Sequence, residues 1–172
     1  MTVYIALLRG VNLASNNRLN MAELKAIAEG LGLENSRTFI ASGNLLFSSD
    51  KPETELRAML EGRLSAHMNK DVHVMLRTGE EMAAAMSANP FPKADAKNVQ
   101  AFFLNEPPPD DLLATVRNCE DERIAPGVRE VYVEYGEKGI GRSRLRVPAA
   151  EAGTARNMNT VAKLAALAKE LE

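Results

Sequence analysis

The sequence predicts an α+β protein built from two ferredoxin-like (split βαβ) halves, with mostly antiparallel sheets and helices packed on one face. Short apolar runs of strand length recur along the chain, and amphipathic segments with helical spacing lie between them. A polar segment with two prolines, "NPFPKADAKN", separates two similar orders of elements. We therefore predict a first half at 1–88 that ends in a short extra helix, a linker at 89–98, and a second half at 99–172.

The first half begins with "TVYIALL", which predicts a buried strand because its apolar run contains β-branched and aromatic residues. Asn20 and Glu23 form a capping-box pattern, so a helix is predicted to start there, and Gly32 is predicted to close it. "RTFIA" and "LLFSS" predict two strands. The "SGN" between them predicts a hairpin turn.

A second helix is predicted after Pro52, and "VHVML" predicts the strand that follows it. The first half therefore has the order β-α-β-β-α-β, which is the ferredoxin-like order. Thr78 and Glu81 then repeat the capping-box pattern ahead of the short helix.

The second half is predicted to repeat this order without its last strand. "VQAFFL" predicts a strand, "PPPDDLLATVRN" a helix, and "REVYVEY" and "IGRSRLRV" two strands around "GEKG". Residues 157–171 predict the final helix, because apolar residues recur there on one face. The expected order is β-α-β-β-α.

The composition argues against several classes of function. The net charge of -2 gives no general attraction to nucleic acid, so an anion site must be local. Two histidines, His67 and His73, and a single distant cysteine do not make a usual zinc site, and no Walker motif is present. We predict no metal and no cofactor. A cytoplasmic location is expected, because one cysteine cannot form an internal disulfide and neither a signal peptide nor a membrane span is visible. Monomer and homodimer both stay open.

Two polar loops are predicted to meet at one end of the first sheet. In a ferredoxin-like half, the loop after the first strand and the hairpin after the second lie at the same end. This would bring Arg9 and Asn12 of "RGVN" near Ser42 and Asn44 of "SGN". Such a cluster could hold an anion. The alternative is ordinary loop chemistry, since Asn and Gly suit turns.

The segment "GTARNMNT" is the second candidate site. Arg156 could hold a phosphate or carboxylate, with hydrogen bonds from Asn157, Asn159 and Thr160 and from the helix N-terminus. The alternative is that Thr154 or Asn157 simply caps the following helix.

A third candidate is the predicted strand "GRSRLRV". Strand alternation would place Arg142, Arg144 and Arg146 on one face, where they could contact RNA phosphates. The strand has no aromatic residue for base stacking, and a solvated face paired with Glu130 and Glu134 is the alternative.

Taken together, "YIALLRGVN", "RTFIASGNLLF", "NPFP", "GIGRSRL" and "TARNMNTVAKL" resemble the domain-of-unknown-function 1697 family of uncharacterised bacterial proteins, over about residues 3–167. The resemblance implies two ferredoxin-like halves and no established activity. The chain departs from the family pattern at Ala14 and Ser15, where members have glycines, and at Met158, where they have tryptophan. A stacking role at 158 and a glycine phosphate loop at 13–15 are therefore not expected.

These observations favour binding of a small anionic ligand, or of RNA phosphate, at the Arg and Asn loops. A metal-independent enzyme acting on a phosphorylated or carboxylated small molecule is one alternative, although no general base stands out. A protein-interaction scaffold, in which the motifs are purely structural, is the other.

Overall fold

The structure is a computed structural model that describes residues 1–11, 19–39 and 43–172. It divides into two compact units. Unit 1 comprises Met1–Met82 and Leu164–Glu172, and unit 2 comprises Ala83–Lys163. Two of the predicted site residues, Asn12 and Ser42, lie outside the described residues.

Unit 1 contains a four-stranded antiparallel sheet in the order β2-β3-β1-β4. Its strands are β1 (Thr2–Arg9), β2 (Glu34–Phe39), β3 (Asn44–Ser49) and β4 (His73–Thr78). The helices that follow β1, β3 and β4 are α1 (Met21–Gly30), α2 (Glu53–Met68) and α3 (Gly79–Ser87). The predicted α+β class and the ferredoxin-like order of this half are confirmed.

The core of unit 1 follows from strand alternation in β1. Tyr4, Ala6 and Leu8 point to the face covered by α1 and α2, and the Tyr4 ring stacks on Phe47 with centroids 5.8 Å apart. The opposite face of the same strand is also buried, since Ile5 is fully covered. This explains why "YIALL" is apolar throughout instead of alternating.

Both predicted capping boxes of unit 1 are present. The Asn20 side chain accepts a hydrogen bond from the Glu23 amide at 2.8 Å, and the Glu23 carboxylate accepts one from the Asn20 amide at 3.2 Å. Thr78 and Glu81 make the same pair of bonds at 3.1 and 3.0 Å. Each box satisfies amides that the first helical turn leaves without an internal partner.

Unit 2 contains a second four-stranded antiparallel sheet, in the order β6-β7-β5-β8. Its strands are β5 (Val99–Phe103), β6 (Arg123–Pro126), β7 (Glu130–Glu134) and β8 (Thr154–Asn157), and β8 leads directly into α4 (Met158–Leu171). With strands taken in chain order, this is the strand order of unit 1. The two sheets therefore share one topology.

Three predictions for the second half are wrong. A final strand exists, because the supposed cap loop is β8. "IGRSRLRV" is not a strand, since Gly139 has a φ of 70° and a 3₁₀ turn follows at Ile140–Arg142. "PPPDDLLATVRN" forms only the 3₁₀ turn Leu112–Thr115 and not the predicted helix.

Two helices contribute residues to both units. The boundaries fall inside α3, after Met82, and inside α4, after Lys163. The end of α4 therefore belongs to unit 1, where Glu170 forms an ion pair with Arg37 at 3.0 Å. The predicted linker lies within unit 2, where the Phe91 ring stacks under the Arg123 guanidinium at 4.8 Å. Across the described ranges, no helix has both the length and the apolar character that a membrane crossing requires.

Candidate functional site

The first candidate site lies at one end of the unit 1 sheet. Arg9 is the last residue of β1, the strand between β3 and β4, and it is half-buried. Its register partner on β4 is His73. On the other side, the Leu8 amide donates to the Gly43 carbonyl at 2.9 Å, so the start of β3 lies beside the end of β1. The predicted approach of "RGVN" and "SGN" is confirmed for the parts that the structure describes.

Asn44 has a structural role within this arrangement. Its side chain is fully buried and donates from Nδ2 to the Phe39 carbonyl at 3.0 Å, which closes the β2–β3 hairpin. It stands opposite Leu7 in the β1–β3 register. Strand alternation puts Arg9 on the same face as Leu7, and therefore on the face of Asn44. Asn44 therefore lies beside Arg9 on the same face of the sheet, and its side-chain amide is hydrogen-bonded to the Phe39 carbonyl.

Two glycines fix the backbone at this end of the sheet. Gly10 and Gly43 both have left-handed φ angles, of 82° and 78°, which other residues adopt with strain. A Cβ on Gly43 would also lie 3.0 Å from the Leu8 Cβ, so the hairpin approaches β1 closely only because this residue has no side chain. The glycines of both motifs are therefore explained by geometry.

The second candidate site is the junction between β8 and α4. Arg156 is 6% exposed, and its Nη1 donates to Thr154 Oγ1 at 2.7 Å and to the Ala155 carbonyl at 2.9 Å. Burial lowers the pKa of Arg156 to about 10, because the charged form loses hydration. The guanidinium stays charged at neutral pH, and it is held against its own strand.

Of the neighbouring polar residues, Asn157 caps the helix and Asn159 is exposed to solvent. Asn157 accepts a hydrogen bond at Oδ1 from the Thr160 amide at 2.9 Å, which is an N-cap interaction for α4. Asn159 is exposed in the first turn, and Thr160 is partly exposed. The capping alternative therefore accounts for Asn157, whereas Asn159 has no such role.

Sequence reasoning missed Arg77, which matches Arg156 in unit 1. Arg77 is 1% exposed and donates from Nη1 to the Leu76 carbonyl at 2.9 Å, as Arg156 does to Ala155. Each arginine lies one residue before the residue that caps the following helix, Thr78 or Asn157. An arginine followed by a capping residue at both junctions was the signal in the sequence.

The three arginines of the third candidate do not form a sheet face. Arg142 belongs to the 3₁₀ turn, and the chain from 143 to 145 has no regular secondary structure. Arg146 forms an isolated antiparallel bridge with Arg117. All four arginines are exposed.

A cleft between α1 and α2 was also missed. It measures about 380 Å³ and is lined by Glu23, Arg63 and His67 among others. Glu23 Oε2 lies 3.6 Å from His67 Nε2. Glu23 also belongs to the α1 capping box, so this carboxylate already has a structural role. Over residues 1–11, 19–39 and 43–172, no three His, Cys, Asp or Glu side chains are grouped so that they could hold a metal.

Comparison with known proteins identifies the family. A profile described as "Protein of unknown function (DUF1697)" matches residues 1–132. The chain belongs to the DUF1697 family. No curated protein matches it. Among solved structures it is similar to the conserved bacterial protein SP0830 from Streptococcus pneumoniae, with 27% identity, a TM-score of 0.78, and coverage of 98% of this chain and 99% of that chain.

The DUF1697 match covers the first candidate site but not the second. Residues 1–132 include Arg9 and Asn44, whereas the β8–α4 junction lies beyond the matched residues. The family description carries no activity.

A paired substitution tests the assignment of the cap. Asn157→Ala is expected to reduce the free energy of unfolding by about 1 kcal/mol, because the Thr160 amide loses its acceptor. Asn159→Ala, two residues further on, is expected to change it by less than about 0.5 kcal/mol, as for other surface positions. Urea denaturation followed by circular dichroism measures both. Equal effects at the two positions would contradict the assignment.

Proposed function

We propose that the protein binds a small ligand bearing a phosphate or carboxylate at the end of the unit 1 sheet where Arg9 lies. The observation that carries this proposal is the position of Arg9 at the end of a central strand, with the start of β3 on one side and His73 on the other. A half-buried guanidinium in such a place can bind an oxyanion through two parallel hydrogen bonds.

The surroundings of Arg9 support an anionic ligand. His73 is exposed, and Lys70 lies in the turn that precedes β4. This turn lies against the end of β1, since the Asp71 carbonyl is 3.5 Å from where a Cβ on Gly10 would stand. The end of β1 that carries Arg9 therefore lies beside both the start of β3 and the turn before β4.

The test is a thermal-denaturation screen of the purified protein against phosphate, sulfate, nucleotides and organic acids. A ligand that binds only the folded state stabilises it by about 2.7 kcal/mol at one hundred times its Kd. We expect at least one phosphate- or carboxylate-bearing compound to raise the Tm in a concentration-dependent way. Arg9→Ala is expected to abolish that rise.

Arg57→Ala is the matched control, because Arg57 is also a half-buried arginine of unit 1 but lies on α2. It should retain the full rise in Tm. The proposal is wrong if no anion in the screen raises the Tm, or if Arg9→Ala responds as the wild type does.

A scaffold function is the second candidate, and one set of observations favours it. Asn44, Arg156 and Asn157 all make hydrogen bonds within their own strand, hairpin or helix start. Under this alternative the motifs shape the fold, and Arg9→Ala would lower stability without altering any response to anions.

A further inference from the structure

Four exposed arginines of unit 2, which we call the arginine cluster, lie on two segments that pair with each other, outside the site proposed above. This arginine cluster consists of Arg117, Arg142, Arg144 and Arg146. The backbone amides of Arg117 and Arg146 donate to each other's carbonyls at 2.9 Å in both directions, which makes a hydrogen-bonded antiparallel pair. In such a pair the two Cα atoms are about 5.5 Å apart, and both side chains leave the same side of the backbone.

Arg142 and Arg144 lie on the segment that leads into Arg146. Arg142 belongs to the 3₁₀ turn, and Arg144 lies two residues before Arg146, where the chain has no regular secondary structure. The Ser143 hydroxyl donates to Glu122 Oε1 at 3.0 Å and accepts from the Leu145 amide at 3.2 Å. These bonds hold the segment that carries the arginines.

The charges of the cluster are only partly balanced. Arg146 forms an ion pair with Glu151 at 2.8 Å. Within the part of the chain that the structure describes, Arg117, Arg142 and Arg144 form no ion pair. Like charges directly opposite each other on paired strands are unfavourable, so an anion placed between Arg117 and Arg146 would relieve this repulsion.

We infer that the arginine cluster binds the phosphate backbone of single-stranded RNA without reading its bases. Guanidinium groups pair with phosphates bidentately, and several of them on two paired segments match a chain of repeated phosphates better than a single small anion. Tyr135, the aromatic residue nearest to the cluster along the chain, is buried and bonded to Gln100, so it is not available for base stacking. Binding should therefore depend on salt and not on sequence.

The experiment measures the fluorescence anisotropy of a labelled twelve-nucleotide oligo(U) from 50 to 300 mM NaCl. For single strands, the slope of log K against log salt is about -0.7 per phosphate contacted. We expect Arg117→Gln with Arg144→Gln to weaken binding at least tenfold at 50 mM salt and to make the slope shallower by about 1.4. The matched control is Arg57→Gln with Arg63→Gln on α2, which changes the net charge equally and should leave the affinity within twofold.

A gain-of-function variant separates binding from folding. Glu151→Gln removes the carboxylate that pairs with Arg146, so it is expected to tighten oligo(U) binding severalfold and to steepen the slope by about 0.7. The inference is overturned by an absence of wild-type binding at 50 mM salt, by equal losses in the two double variants, or by looser binding in Glu151→Gln. It is also overturned if poly-glutamate competes as well as oligo(U), because the surface would then recognise acidic chains in general.

Discussion

Gly153→Ala is expected to destabilise the protein by about 3 kcal/mol or more, at the upper end of the range for overpacked sites. A Cβ at this position would lie 2.4 Å from the Phe103 carbonyl oxygen and 2.7 Å from Leu104 Cδ2. The first of these atoms is backbone, and the next residue, Thr154, is paired with Phe103 in the β5–β8 register. The strand must therefore move, and with it the whole junction that carries Arg156.

Gly62→Ala serves as the matched control. Gly62 lies inside α2, it is exposed, and no atom approaches within 4 Å of where its Cβ would stand. Alanine there should raise the free energy of unfolding by about 1 kcal/mol, because glycine is the poorer helix former. Urea denaturation of both variants measures the contrast. A loss at Gly153 no larger than 0.5 kcal/mol would show that β8 accommodates the methyl group.

Arg77→Ala and Arg156→Ala are each expected to cost about 2–5 kcal/mol, the range for removing a long buried side chain and leaving a cavity. Both guanidinium groups are buried and bonded to the carbonyl of the preceding residue. Arg77→Met and Arg156→Met keep most of the stem without the charge. They should cost less than the alanine variants, because replacing a buried charge by an apolar chain of similar volume is often nearly neutral.

The stability difference between the wild type and Arg156→Met is expected to depend on pH. Its pKa in the folded protein is lowered to about 10, so the unfolded state retains the proton more readily above that pH. The wild type should therefore gain stability relative to Arg156→Met as the pH rises through 10. Denaturation curves at pH 7 and pH 11 test this. If methionine is as costly as alanine at pH 7, the hydrogen bonds of the guanidinium, and not the packing of its stem, stabilise the junction.

How far the sequence predicted the fold depended on local signals. The first half was predicted correctly because its capping boxes, its apolar strands and its Gly-Asn turn are all strong. In the second half, β6 was missed because "RIAP" is short and ends in proline, and it lies at the edge of its sheet. β8 was missed because Asn157 both ends the strand and caps the helix, so a cap signal concealed a strand.

For the candidate sites, the sequence predicted the residue types but not their burial. Residue types identified Arg9 and Arg156, but only burial separates a half-exposed arginine from one that is 6% exposed. Arg142, Arg144 and Arg146 were grouped by a strand periodicity that the structure does not have. A left-handed glycine and a 3₁₀ turn replace the predicted strand. Arg117, the backbone partner of Arg146, lies too far back in the chain for a periodicity to reveal it.

The division of α4 between the two units has a consequence for synthesis on the ribosome. Unit 1 is completed by Leu164–Glu172, which are translated only after all of unit 2. At about 5–20 residues per second, residues 1–82 wait several seconds for this segment to emerge. During that time the site of the Arg37–Glu170 ion pair has only one of its partners. Unit 1 therefore stays incomplete until the last residues of the chain emerge.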